Sequence, residues 1–212
     1  MKDSYQIHSL DQLREVVTLS SQQNRKLNDR LYDYLDEHSK RFISESPVVF
    51  FATSDGAGHV DVSPKGDAPG FIDILDERTL LFPERMGNAD ARNLRNILEN
   101  NHVSLLFVIP RTKDVLRVNG IAVITKAPSL LKRMISCGRP AQLCIEITVK
   151  ECFFHCGRAF NRSHIWEPSK WPESARKYKI NQFSQSVERS VDDCEEAYKR
   201  GLEQLGEADG AY

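Results

Sequence analysis

The feature that most constrains this chain is a succession of short apolar runs separated by clusters of turn-forming residues. VVFFATS (residues 48–54) leads to DGAG, then HVDVS, PKGDAPG (64–70), FIDIL, DER and TLLFP. After one helical stretch come HVSLLFVI, PRTKD, VLRVNGIAVIT and QLCIEITVKECFFHC. Runs of this length bounded by Gly, Pro, Asp and Asn read as strands joined by tight turns. About seven strands with few helices between them predict a mainly β, antiparallel, barrel-like fold.

Local patterns refine this. VVFFATS and HVSLLFVI are continuous apolar runs, as expected of strands buried on both faces. In QLCIEITVKECFFHC, Leu143, Ile145, Ile147 and Val149 fall on one face and Glu146, Thr148 and Lys150 on the other. Gly120 marks a bulge or a close backbone approach. Leu27, Leu31, Tyr34, Leu35, His38 and Phe42 recur at helical spacing, and Pro47 ends that stretch. Asn88 is an N-cap for a helix over 89–99, with Leu94, Ile97 and Leu98 inward. A short helix follows Pro128. Val187, Val191, Cys194, Tyr198, Leu202 and Leu205 form an amphipathic stripe, and residues 206–212 read as a frayed end. The organisation predicted is a helical extension (1–46), one β domain (47–172) and a helical tail (173–212) packing on the barrel or in a dimer.

Composition narrows the function classes. Charged residues make up 28% of the 212 and the formal net charge is −1, so no general attraction to nucleic acid is expected and any anion site must be local. No apolar run approaches ~20 residues, so no membrane span is expected, and the N-terminus lacks a signal core. The five cysteines (Cys137, Cys144, Cys152, Cys156 and Cys194) have no framework spacing, which favours reduced thiols and a cytoplasmic protein. Cys152, His155 and Cys156 do not make a metal site: on a regular strand the two cysteines share a face and His155 points away.

Two segments can carry chemistry. Glu84, Arg85, Met86, Gly87 and Asn88 lead into a helix start, with Arg92 one turn in and Lys65 able to approach from a neighbouring hairpin. Free N–H groups and the helix dipole favour an anion there, and the alternative is a capped surface helix with solvated arginines. The cluster PKGDAPG either brings backbone N–H groups to the edge of a planar heterocycle or is simply a turn.

The motifs SPKGD-x-PGF, LDERTLLFPER-x-GN, LRNILEN and LRVNG resemble the pyridoxamine 5′-phosphate oxidase-related, FMN-binding split-barrel proteins. FFHC-x-x-AF-x-RS-x-x-W (residues 153–166) is similar to the tail of a bacterial branch of that family. The resemblance covers about residues 39–172. It implies an antiparallel, Greek-key-like split barrel of six strands, a homodimer, and FMN in clefts at the dimer interface. The implied cofactor residues are Ser63, Lys65, Gly66 and Asp67 along the flavin ring, with Phe82 and Pro83 bordering it. Arg85, Asn88 and Arg92 would hold the phosphate. Arg117 and Asn119, alternating onto one strand face, would reach the cleft together, and Arg162 and Trp166 would close it, in part across the dimer. Ala89 and Asp90 stand where this branch carries a basic residue. The Arg-x-x-Leu-Leu-Lys, Ser-Arg-Lys and Arg-x-His patterns of the vitamin B6 oxidases proper are missing, so B6 oxidation is not expected. The implied activity is an FMN-dependent oxidoreductase acting on an unidentified small molecule, reduced by NAD(P)H or a deazaflavin, with no obligatory catalytic side chain. A non-catalytic flavin- or haem-binding protein on the same barrel is the alternative.

Overall fold

The computed structural model describes residues 5–17, 31–85, 91–136, 139–172 and 200. The chain divides into two compact units, Met1–Ile135 with Pro140–Arg158, and Ser136–Arg139 with Ala159–Tyr212. The predicted stripe from Val187 to Leu205, the frayed end, Cys137, Cys194 and the 86–90 segment lie outside the described residues, Arg200 apart.

The first unit is built on one seven-stranded sheet. In chain order its elements are α1 (Leu10–Val16), α2 (Glu37–Glu45), β1 (Val48–Ser54), β2 (Val60–Gly66), β3 (Asp73–Asp76), β4 (Thr79–Glu84), α3 (Arg92–Glu99), β5 (His102–Val108), β6 (Asp114–Thr125) and α4 (Pro128–Arg133). The short strands β7 (Ile135–Ser136) and β8 (Arg139–Pro140) stand outside the sheet, and β9 (Leu143–Cys156) is its longest strand. The order is β2-β1-β5-β6-β9-β4-β3, every pairing antiparallel, so β1 joins β5 and β9 joins β4 by Greek-key-like crossovers. The fold is thus the mainly β, antiparallel one expected, with the seven strands that the pattern predicts, FIDIL supplying the short β3, in place of the six that the resemblance implies.

One large core packs on one face of the sheet. Phe51 and Phe82 stack at its centre, ring centroids 5.0 Å apart, and Leu105, Phe107, Leu116, Val118, Ile145 and Ile147 pack around them, all buried. Burying each such side chain stabilises the fold by about 1.5–3 kcal/mol before entropy is subtracted. β4 is buried on both faces: Leu80 and Phe82 join this core, while Leu81 packs on a second cluster with Met134, Ala141 and Cys144. β1 and β5, expected to be buried on both faces, instead alternate between buried and partly buried residues along most of their length.

Gly120 is a close approach and marks a bulge. A Cβ there would lie 2.5 Å from the Thr148 carbonyl oxygen and 2.7 Å from Ile147 Cγ2. The β6–β9 register shifts between Asn119 and Gly120, leaving Lys150 as the extra residue. Ile145, Ile147 and Val149 are buried as expected, while Leu143 is only partly so; beyond the bulge the parity inverts, and Cys152 is the buried one. β4 stops pairing with β9 at Thr79–Thr148, and beyond that point Tyr32 takes the β9 edge, its N–H donating to Cys152 O at 3.1 Å and its carbonyl accepting from Cys152 N at 2.7 Å. The helix expected through residues 27–42 therefore covers only Glu37–Glu45 among the described residues. Asp36 caps it, its Oδ1 accepting from Ser39 N at 2.8 Å.

In the second unit, residues 160–171 form a compact turn of α5 (Arg158–Arg162) and a 3₁₀ turn (Pro168–Lys170). Trp166 lies against Phe160, centroids 5.6 Å apart, and Trp171 Nε1 donates to Ile165 O at 3.0 Å. Among the described residues no helix is long and apolar enough to cross a membrane.

Candidate functional site

A cleft of about 660 Å³ opens where the two ends of the sheet face each other. One wall is β2 and its following turn, with Ser63, Lys65, Gly66 and Asp67. The opposite wall is the end of β4, with Phe82, Pro83, Glu84 and Arg85. The first turn of α3 (Arg92, Asn93, Leu94) and the start of β9 (Leu143) complete it, and Phe71 adds to the apolar side. Its size lies in the range of small-molecule sites.

β2 continues through Pro64–Gly66, which reads in sequence as a break. Proline is tolerated because β2 is the sheet's edge strand and needs no N–H toward a further neighbour. The turn bonds Asp55 N→His59 O and Asp67 N→Pro47 O set which pairs of the β1–β2 ladder are hydrogen-bonded. By alternation, the Gly66 N–H and the carbonyls of Pro64 and Gly66 turn away from β1, toward the free edge. Packing at Gly66 is tight: a Cβ there would lie 3.1 Å from Pro47 O.

The ionic groups are paired across the cleft. Lys65 Nζ lies 3.5 Å from Glu84 Oε1, and Arg85 Nε lies 2.9 Å from Asp67 Oδ2. The second pair is an ion pair by distance but not a directed hydrogen bond, since the buried Nε–H has no acceptor in line. Arg85 Nη1 also donates to Met134 O at 3.3 Å. Arg85 stands close enough to oppose the effect of burial on the Cys144 thiol, whose pKa burial raises.

α3 is fastened to the β2 wall by amides. Asn93 Nδ2 donates to Ser63 Oγ at 3.2 Å. Asn96 Nδ2 donates to Thr53 Oγ1 at 3.0 Å and to Asp61 Oδ2 at 2.8 Å, and Asn100 Nδ2 donates to Ser54 Oγ at 2.7 Å. Arg92 Nη1 adds a contact to Asp61 at 3.4 Å. The helix begins at Arg92, not at residue 89, and Ala91 precedes it in the left-handed region with φ 50° and no side-chain cap. Its inner face carries Asn93, Asn96 and Ile97, while Leu98, expected inward, is 79% exposed. The facing strands present Thr53, Asp61 and Ser63, so amides fit where leucine does not. This polar stripe went unrecognised in the sequence; its signal is asparagine at i, i+3 and i+7, a repeat of a poor helix former on one face.

Eight of the sequence-expected residues line this one cleft: Ser63, Lys65, Gly66, Asp67, Phe82, Pro83, Arg85 and Arg92. Asn88 lies outside the described residues. Arg117 and Asn119 do share a strand face, but it is the opposite face of the sheet, away from this cleft. Arg117 lies 5.6 Å from the Phe153 ring centroid. Asn119 accepts from Ser104 Oγ at 2.7 Å and donates to Glu151 at 2.7 Å. Their neighbours on β6, Leu116 and Val118, take the core side. Arg162 and Trp166 belong to the second unit, where Trp166 contacts Phe160. Cys152 is buried with its thiol 3.3 Å from Ser39 Oγ, and Cys156 is exposed. Among the described residues no group of three or more His, Cys, Asp or Glu side chains converges on a metal position.

Several known proteins are similar to this chain. HupZ of Group A Streptococcus is 20% identical over 58% of this chain and 95% of its own, with a TM-score of 0.49. An FMN-binding protein of Syntrophomonas wolfei is 13% identical over 65% of this chain and 97% of its own, with a TM-score of 0.43. HutZ, the haem storage protein of Vibrio cholerae, is 17% identical over 57% of this chain and 94% of its own, with a TM-score of 0.40. Comparison with curated proteins finds no significant match. The model of the pyridoxamine 5′-phosphate oxidase family matches residues 35–156, more than half of the chain and all seven strands of the sheet. This chain therefore belongs to the pyridoxamine 5′-phosphate oxidase family.

Proposed function

We propose that this protein is an FMN-binding oxidoreductase whose cofactor occupies the cleft between β2 and β4. The observation that carries the reading is the cleft's asymmetry. Phe71, Phe82, Pro83, Leu94 and Leu143 give it an apolar wall for a flat ring. Lys65 and Arg85 give it cations, and the Arg85 Nε–H is a buried donor still lacking an acceptor. A phosphate monoester carrying a planar heterocycle matches that donor set. The Gly66 N–H and the Pro64 and Gly66 carbonyls on the free edge of β2 would orient the ring, and Lys65 and Arg85 would hold the phosphate. The apolar wall would exclude water. When bound, FMN would supply the hydride or electron chemistry. Among the described lining residues stand no His, Cys, Met or Tyr, the side chains that hold haem iron, so flavin is the better fit to this cleft.

A non-catalytic flavin carrier is the second reading. Lys65 and Glu84, and likewise Arg85 and Asp67, are paired with each other, which leaves neither acid dedicated to proton transfer. We place a homodimer contact on the outer face of β2, where Val60 and Val62 are 70% and 60% exposed on an edge strand.

The absorption spectrum of the purified protein tests the assignment. A flavin spectrum that bleaches with NAD(P)H or a reduced deazaflavin supports the enzyme, and one that neither reductant bleaches supports the carrier. A Soret band, or no flavin taken up from added FMN, refutes both. Arg85→Ala is expected to weaken FMN binding by about 1–3 kcal/mol, the loss of a charge-assisted hydrogen bond. Unchanged affinity in that titration would remove the phosphate from Arg85.

A further inference from the structure

We propose that Asp67 and Glu84 are built-in competitors for the phosphate end of the ligand, so that the cleft exchanges its ligand and does not hold it permanently. The inference rests on the flavin reading above and goes beyond it to the cofactor's mode of use.

The observation is the crossed arrangement of four charges. Lys65 and Asp67 stand two residues apart at the end of β2, and Glu84 and Arg85 are adjacent at the end of β4. One wall therefore presents a cation then an acid, and the other an acid then a cation. The two ion pairs, Lys65–Glu84 at 3.5 Å and Arg85–Asp67 at 2.9 Å, cross the mouth in opposite senses. β2 and β4 are not neighbours in the sheet, so these pairs clasp two elements that no backbone ladder joins. The four side chains retain only 28%, 19%, 29% and 22% of their exposure, so the pairs are screened less than surface ones.

A phosphate reaching Arg85 must stand beside the Asp67 carboxylate, against like charge, and can be accommodated only if that acid gives way. Much of the attraction between phosphate and cations is then offset by the pairs it breaks. A neutral ring entering against Phe82 and Leu143 breaks neither pair. The expected consequences are a modest preference for FMN over riboflavin and rapid release of FMN, the behaviour of an exchangeable cofactor.

Asp67→Asn isolates the effect. It removes the charge and keeps Oδ1 as acceptor for the Ala68 N–H, now 2.7 Å away. Titration by flavin fluorescence is expected to show FMN binding tightened about three- to tenfold in Asp67→Asn, through slower dissociation, with riboflavin affinity unchanged. Glu84→Gln is expected to give the same pattern, tighter FMN binding with riboflavin affinity unchanged, and serves if Asp67→Asn does not fold. Unchanged or weaker FMN binding by a folded variant overturns the proposal, and so does equal tightening of riboflavin, which would make the effect steric. If the wild type binds neither flavin, the flavin reading fails on its own and the clasp is read with inorganic phosphate. A larger phosphate-induced rise in Tm for Asp67→Asn than for wild type supports it, and equal rises overturn it.

Discussion

Asn96→Ala tests how α3 is held over the cleft. Asn96 is 6% exposed, and its Nδ2 makes two bonds, one to the buried Thr53 hydroxyl at 3.0 Å and one to the Asp61 carboxylate at 2.8 Å. A neutral bond of this kind contributes about 1 kcal/mol and one to a charged acceptor about 1.5–3 kcal/mol, and the truncation leaves the buried Thr53 hydroxyl without this donor. Arg92 still reaches Asp61, which returns part of the loss. The expected cost is about 2–4 kcal/mol, or roughly 5–15 °C in Tm for a chain of this size. Urea unfolding followed by circular dichroism measures it, with the m-value checked for constancy. The mechanism also predicts coupling. Once Thr53→Val has removed the hydroxyl, Asn96→Ala should cost measurably less, because it no longer strands a buried acceptor. A cost below about 0.5 kcal/mol, or simple additivity of the two changes, would refute the claim that these amides fasten the helix. Since Arg92, Asn93 and Leu94 line the cleft, loosening α3 should also weaken FMN binding.

Gly120→Ala is expected to destabilise by about 2–3 kcal/mol in the same assay, because the new methyl meets a carbonyl at 2.5 Å that belongs to the paired strand and cannot swing aside. A change near zero would mean that the bulge is absent. Ala91→Gly is expected to stabilise by about 0.5–1 kcal/mol by relieving a left-handed alanine, and a loss of stability would overturn the αL assignment. His155 has a folded pKa below its ordinary 6.5, from burial first and then from Arg117. The unfolded chain therefore takes up this proton first, and stability is lost as pH falls below about 6.5 through the folded value. His155→Phe should flatten that part of the Tm–pH profile relative to wild type. His59, raised by Asp55, contributes with the opposite sign in both proteins and cancels from the comparison.

The strands were legible because alternation and turn clusters report local geometry, and Gly120 was legible because only glycine fits so close an approach. Register after the bulge was not. The extra residue Lys150 inverts the parity of β9, so Cys152 and not Glu151 is buried, and no local pattern announces one inserted residue. The region around Tyr32 misled for a related reason. Its helical spacing is real, yet the edge of β9 left open where β4 begins at Thr79 offers Tyr32 two backbone bonds, and tertiary pairing overrides local periodicity. The cleft was legible in its parts. Lys65 and Arg85 stand out beside turn formers, and Phe82 stands out in an apolar run. Their pairing was not, because which acid meets which cation depends on how two non-adjacent sheet ends close on each other. This bears directly on function. Counted in sequence, the cations suggest an avid phosphate site. In the folded chain Lys65 faces Glu84 and Arg85 faces Asp67, so an arriving anion largely exchanges one set of ion pairs for another. The affinity of such a site is a difference between two sets of partners, and conservative changes to the acids should move it as much as changes to the bases.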